Sequence, residues 1–127
     1  EGARSVRRVL SLFDSSMSDD PPIIGLAPEG RDSLDGSLIE PPSGTGRLLL
    51  HIARHGLSVL PVGMAEVDGV LTARFGPAFT LGAWPELSKK EQDRQASRQV
   101  MTAIGAQLPP ALWGVYRTQI EQMVGNP

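Results

Sequence analysis

The chain contains no cysteine. Disulfides, a thiolate nucleophile and zinc–thiolate sites are thereby excluded, and the compartment is left open, a reducing one being the better fit. Charge of neither sign is in excess: Lys and Arg number 12 against 14 Asp and Glu, for a net charge of −2. Such a chain offers no basic field to duplex nucleic acid, so no nucleic-acid partner is expected. No apolar run approaches the roughly 20 residues that span a bilayer. No basic segment followed by an apolar one opens the sequence, as a secretory signal does. Histidine is scarce, His51 and His55 being the two copies. Their i, i+4 spacing suits two ligands on one helix, but Ile52 stands where a zinc-protease motif has glutamate. A surface or partly buried pair is therefore expected, and no metal or other cofactor. The nucleophile elbow Gly-x-Ser-x-Gly is absent as well, and none of Glu29, Glu40 and Glu66 is marked as half of a general acid/base pair.

What is present is enough chain for one soluble core, 127 residues of which 40% are hydrophobic and 20% charged. Its focus is Ile23-Ile24-Gly25-Leu26-Ala27 followed by Pro28-Glu29-Gly30-Arg31-Asp32-Ser33. The short apolar run predicts a buried strand, ended by Pro28, which lacks the N–H for a further ladder bond. Gly30 allows a tight turn. Glu29, Arg31, Asp32 and Ser33 are then offered at the carboxyl end of a strand, where open α/β sheets bind ligands. The same pattern also suits a plain strand-to-loop turn with solvated charges.

Around that focus the pattern alternates helices and strands. Val6, Val9, Leu10 and Phe13 make an apolar stripe on a helix over 3–13, with Arg4, Arg7 and Arg8 on the other side. Residues 14–22 are turn formers. A helix is expected over 47–55, with Leu48, Leu49, Ile52 and Ala53 available for burial and Gly56 just past its end. The run 57–64 is apolar on both faces, as a central parallel strand is, although Pro61 interrupts it. Asp68-Gly69 predicts a hairpin turn, with 70–75 pairing back and 78–81 extending the edge. Ser88 and Glu91 fit a capping box for a helix to about Gln107 that buries Ala96, Val100, Met101 and Ile104. After Pro109-Pro110 a last helix carries Leu112, Trp113, Tyr116, Ile120 and Met123, and the chain frays over 125–127. The expected fold is α/β, a mixed, partly parallel sheet with flanking helices and a C-terminal helix pair. Residues 1–127 read as one partial domain, with 82–127 its C-terminal helical segment.

Two glycine patterns touch on phosphate binding. Gly44-x-Gly46 lacks the third glycine of a dinucleotide fingerprint, since position 49 is leucine, and Gly25-x-x-x-x-Gly30 is followed by Arg31-Asp32 rather than by lysine and a hydroxyl residue. A phosphate held by backbone N–H groups near Gly46 remains one reading, and glycines that admit close packing the other.

Several blocks together resemble a known family. Ala27-Pro28-Glu29-Gly30-Arg31-Asp32-Ser33 is similar to the Pro-Glu-Gly-Thr-Arg-Ser block of the glycerolipid acyltransferases, the lysophosphatidic acid and glycerol-3-phosphate acyltransferases. Ser43-Gly44-Thr45-Gly46 with its helix resembles the segment after that block. Leu57-Ser58-Val59-Leu60-Pro61-Val62 resembles the family's Val-Pro-Ile-x-Pro-Val block, which accounts for Pro61. Arg74-Phe75-Gly76-Pro77-Ala78-Phe79 and Leu108-Pro109-Pro110-Ala111-Leu112-Trp113-Gly114-Val115-Tyr116 resemble two later blocks, so the likeness runs in order over roughly residues 20–120. It implies an enzyme that moves a fatty acyl group from a CoA or carrier-protein thioester to a glycerol-phosphate or lysophospholipid hydroxyl. By carry-over, Glu29, Gly30, Arg31 and Ser33 would bind the acceptor, the guanidinium fork matching its phosphate. Such substrates imply a cytoplasmic location, compatible with peripheral contact at the inner membrane face, for which the residues offer only the three arginines near the start.

The sequence departs from the family in two places. The family's arginine stands two residues after the glycine, whereas here Arg31 follows Gly30 directly and Asp32 takes that place. The catalytic H-x-x-x-x-D is missing: five residues after His51 is Gly56, five after His55 is Leu60, and none of the 28 residues before Glu29 is histidine. The resemblance therefore implies a C-terminal portion of a longer acyltransferase-like protein, with the acceptor-binding part but no catalytic residue, inactive alone. A sheet without its upstream strands would self-associate through its bare edge. The alternative is a non-enzymatic α/β module that binds phosphate or a lipid headgroup.

Overall fold

The computed structural model describes residues 2–14 and 22–125, with α1 side chains described at Arg4 and over 6–11. Most of the loop expected over 14–22, the Phe13 side chain and the last two residues lie outside the described residues. The order is α1 (Gly2–Asp14), α2 (Thr45–Ala53), β1 (Val62–Val67), β2 (Val70–Phe75), α3 (Lys89–Gly105), two single-turn 3-10 helices (Pro110–Leu112 and Gly114–Tyr116) and α4 (Arg117–Val124). Helices and a small sheet make this a mixed α/β chain. Among the described residues no helix is long and apolar enough to cross a membrane.

The centre is α3. Ser88 caps it, accepting from Glu91 N while the Glu91 carboxylate takes the Ser88 N–H, so two otherwise orphan donors are satisfied. Its apolar stripe buries as the periodicity requires, Ala96 and Met101 at 0% exposure and Val100 at 3%. One side of it meets Leu38, Leu108, Trp113, Tyr116 and Ile120. The other meets Leu50 of α2 and Leu81, with Val59 and Phe79 packed behind. Ile104 borders both clusters, so the two form one core split by the helix.

The sheet is not the partly parallel one expected. Among the described residues it has two strands, paired antiparallel from Val62↔Phe75 to Val67↔Val70. The Asp68-Gly69 turn is as read, both residues having positive φ, 52° and 77°, which matches the twist of a two-residue hairpin. A single Val59↔Phe79 bridge continues the ribbon past Pro61. Pro61 explains why the strand expected over 57–64 is shortened to begin at Val62: it has no N–H to give, and only its carbonyl bonds, to Gly76 N at 2.9 Å. Ile23–Ala27 forms no strand, and Ile23 is 99% exposed. A strand exists only as half of a pairing, and no described segment offers this run a partner. The outward face of the ribbon leaves Met64, Leu71 and Phe75 uncovered.

The last helix also departs from the reading. The stripe is real at Trp113, Tyr116 and Ile120, all buried, while Met123 is 52% exposed. The backbone, however, breaks into two 3-10 turns before α4. Gly114 has φ 52°, and a Cβ there would land on the Leu38 carbonyl, so the chain bends where Val115 N bonds that same oxygen at 3.3 Å.

Candidate functional site

The segment 27–39 leaves the core and returns to it as a tied loop. Gly30 N donates to Ala27 O at 3.2 Å, with Gly30 at φ 68°, so Pro28-Glu29 forms the expected tight turn. Glu29 turns inward, and its Oε2 accepts the Ile39 N–H at 3.0 Å. Leu38 beside it is buried and donates its N–H to Leu112 O at 2.9 Å. Asp35 holds the loop's far end by accepting from the Ser37 N–H and hydroxyl at 3.0 and 2.6 Å, and the hydroxyl bond holds its carboxyl below the usual range. Of the residues the sequence singles out, Glu29 is thus a half-buried clip, Gly30 the exposed turn and Ser33 half-buried. Arg31 and Asp32 point to solvent, and Arg31 makes no hydrogen bond or ion pair with a described residue.

The glycines at 44–46 serve packing. Asp93, at 9% exposure, reaches across from α3. Its Oδ2 accepts the Gly44 N–H and its Oδ1 the Arg47 N–H, both at 2.9 Å. A carboxylate thus already occupies the start of α2, where a phosphate would have sat. Gly46 lets α2 lie directly on α3, because a Cβ there would overlap the Asp93 carbonyl. The phosphate reading of this turn is set aside in favour of the close-packing one.

His51 and His55 are both exposed, with rings edge-on at 5.5 Å between centroids. Among the described residues no group of three or more His, Cys, Asp or Glu could hold a metal ion. His51 borders a cavity of about 750 Å³ between α1 and α2 that Val6, Leu10 and Leu48 also line.

A second cleft, of about 310 Å³, lies between α3 and the segment 40–43. Lys90, Arg94 and Arg98 line one wall, with Glu40, Tyr116 and Gln119 facing them. The sequence reading missed it. Its signal was available: basic residues at i, i+4 and i+8 of α3 lie off the apolar stripe, but only the fold turns that side toward a cavity. Tyr116, the one tyrosine of the chain, has its phenol pushed up to about 12 from an ordinary 10.0, first by burial, then by the nearby Glu40 carboxylate, with Arg98 opposing and Glu29 adding. Ultraviolet titration of the folded chain is expected to leave Tyr116 mostly protonated at about pH 11, where a free phenol is mostly ionised. Because the folded pKa is the higher one, this contribution to stability is complete below about pH 10 and is lost as pH rises toward 12. A folded-state midpoint at the ordinary value would mean that the phenol is open to water.

Comparison with sequence-family models, with characterised proteins and with solved structures finds no match for this chain.

Proposed function

We propose that this chain is the acceptor-binding part of a glycerolipid acyltransferase-like enzyme, in which the Pro28-Glu29-Gly30-Arg31 turn receives the acceptor's phosphate. One observation carries the reading: Glu29 clips the loop from inside, at Ile39 N, while Arg31 is exposed with its guanidinium unpaired among the described residues. A tied loop that presents one free arginine suits recognition of a phosphate, since little of its backbone remains to be ordered on binding. The order of the blocks over roughly residues 20–120 supports the same reading.

The acyl donor would be a CoA or carrier-protein thioester and the acceptor a glycerol phosphate or lysophospholipid, met at the inner membrane face. The chemistry would need a histidine to take the proton of the acceptor hydroxyl and an aspartate to orient it. The sequence holds no H-x-x-x-x-D to supply them, so the chain alone is expected to bind acceptor without turning it over. A partly parallel sheet belongs to this reading, with an upstream segment pairing beside Ile23–Ala27 and covering the apolar face of the β1–β2 ribbon. Without that segment the chain is expected to self-associate.

The test is titration calorimetry with glycerol 3-phosphate, beside a thioester-release assay. Arg31→Ala is expected to weaken binding about tenfold or more, the loss of one charge-assisted pair, and to leave the thermal midpoint unchanged because the side chain is exposed. Unchanged affinity in Arg31→Ala, or clear acyl transfer by the 127-residue chain, would overturn the proposal.

A further inference from the structure

We infer that the cleft between α3 and the segment 40–43 is a second anion site, separate from the Arg31 loop, and that it takes a phosphorylated polyol, free or as a lipid headgroup. Its cationic wall is the first ground. Lys90, Arg94 and Arg98 recur every four residues, so their backbones follow one side of α3 over roughly 12 Å. None of the three is within ion-pair distance of a carboxylate among the described residues, where Arg117–Glu121 is the ion pair found. Three cations against the two carboxylates of Glu40 and Asp93 leave this concave lining net positive, an electrostatic match for a phosphate, which accepts several charge-assisted bonds at once. Asp93 keeps its charge, but its oxygens are turned to the backbone N–H groups at the start of α2 and make no ion pair with the three.

The opposite wall says what else the ligand carries. Gln119 Oε1 is buried and has no hydrogen-bond partner among the described residues. Glu40 adds a carboxylate, which only accepts. Inorganic phosphate at neutral pH has donors only on the charged group itself, which Glu40 repels. Hydroxyls set apart from the phosphate would supply a donor to Glu40, so the cleft suits a phosphate at the arginines joined to a hydroxyl-bearing body on the Glu40 side. Tyr116, on the Glu40 side, stays protonated at neutral pH, so its phenol adds an O–H donor to the lining. A volume of about 310 Å³ is in the range of small-molecule sites.

The inference does not depend on the acyltransferase reading. Because glycerol 3-phosphate is itself a phosphorylated polyol, the Arg31 calorimetry is run in the Arg94→Gln/Arg98→Gln background, where the cleft contributes no binding, and the two tests then fail separately. The full chain is titrated with glucose 1-phosphate and with inorganic phosphate, following the backbone amides of α3 and of 114–116 by NMR. The sugar phosphate is expected to bind the tighter, and Glu40→Gln to erase that preference. Arg94→Gln/Arg98→Gln is expected to weaken both ligands at least tenfold. All three positions are exposed, so folding is not at stake. Arg31→Ala is expected to leave both affinities unchanged. Flotation with phosphatidylinositol vesicles, against phosphatidylcholine alone, identifies the source: capture that depends on Arg94 and Arg98 assigns a lipid headgroup, and binding of the sugar phosphate alone assigns a soluble ester. No saturable binding, binding that survives the α3 double substitution, or binding abolished by Arg31→Ala would overturn the inference.

Discussion

Gly46→Ala is expected to cost the fold about 4 kcal/mol, at the upper end of what an overpacked contact produces. The added methyl meets a backbone carbonyl, that of Asp93, which has no rotamer by which to move aside, and Ser97 Oγ stands 2.9 Å away. Relief requires α2 and α3 to separate, and with them Leu50 from Ala96 and Val100. Gly44→Ala is the control. Gly44, unlike the helical Gly46, has a left-handed backbone, φ 98°, but nothing lies within 4 Å of its Cβ position, so only the conformational penalty of about 1 kcal/mol applies. Denaturant midpoints of the two variants separate steric from conformational cost. Equal midpoints would show that the helices are not in backbone contact.

Asp93→Ala is expected to cost about 3 kcal/mol, the loss of two hydrogen bonds to a charged acceptor at a partly buried helix start. For a chain of 127 residues that corresponds to a fall of about 10 °C in thermal midpoint. The variant carries a second signature. With the carboxylate gone, the N–H groups of Gly44 and Arg47 face an empty space at the positive end of α2, which favours an anion. Sulfate is therefore expected to raise the midpoint of Asp93→Ala more than that of the parent chain. Equal sulfate responses would show that Asp93 does not fill an anion position, and the phosphate reading of Gly44–Gly46 would reopen.

Two departures of the fold from its sequence pattern, both in expected strands, share a cause. Both Ile23–Ala27 and the run over 57–64 carry the apolar character of buried strands, and the first stays unpaired while the second pairs only from Val62. Apolar character says that a segment prefers to be covered, but not which segment covers it. The last helix failed at one residue, Gly114, whose conformation is imposed by the Leu38 carbonyl 76 positions earlier in the sequence. Within the candidate site, the turn at Gly30 and the exposure of Arg31 followed from local chemistry. The inward clip of Glu29 onto Ile39 did not, because a carboxylate ten residues from its donor has no periodic signal.

The sequence by itself determined the elements whose causes lie within a turn or two of chain. These are α3 with its Ser88–Glu91 cap and its stripe from Ala96 to Ile104, the Asp68-Gly69 hairpin, and the end of α2 ahead of Gly56, which takes φ 84°. Tertiary structure alone decided that Asp93 fills the start of α2 from 49 residues away, that Gly46 and Gly114 are positions without room for a side chain, and that the basic side of α3 borders a cleft. The physical reason is the range of the forces. Capping, turn geometry and helical periodicity act between neighbours in the chain, while charge compensation and excluded volume act between neighbours in space, and those exist only once the chain has folded.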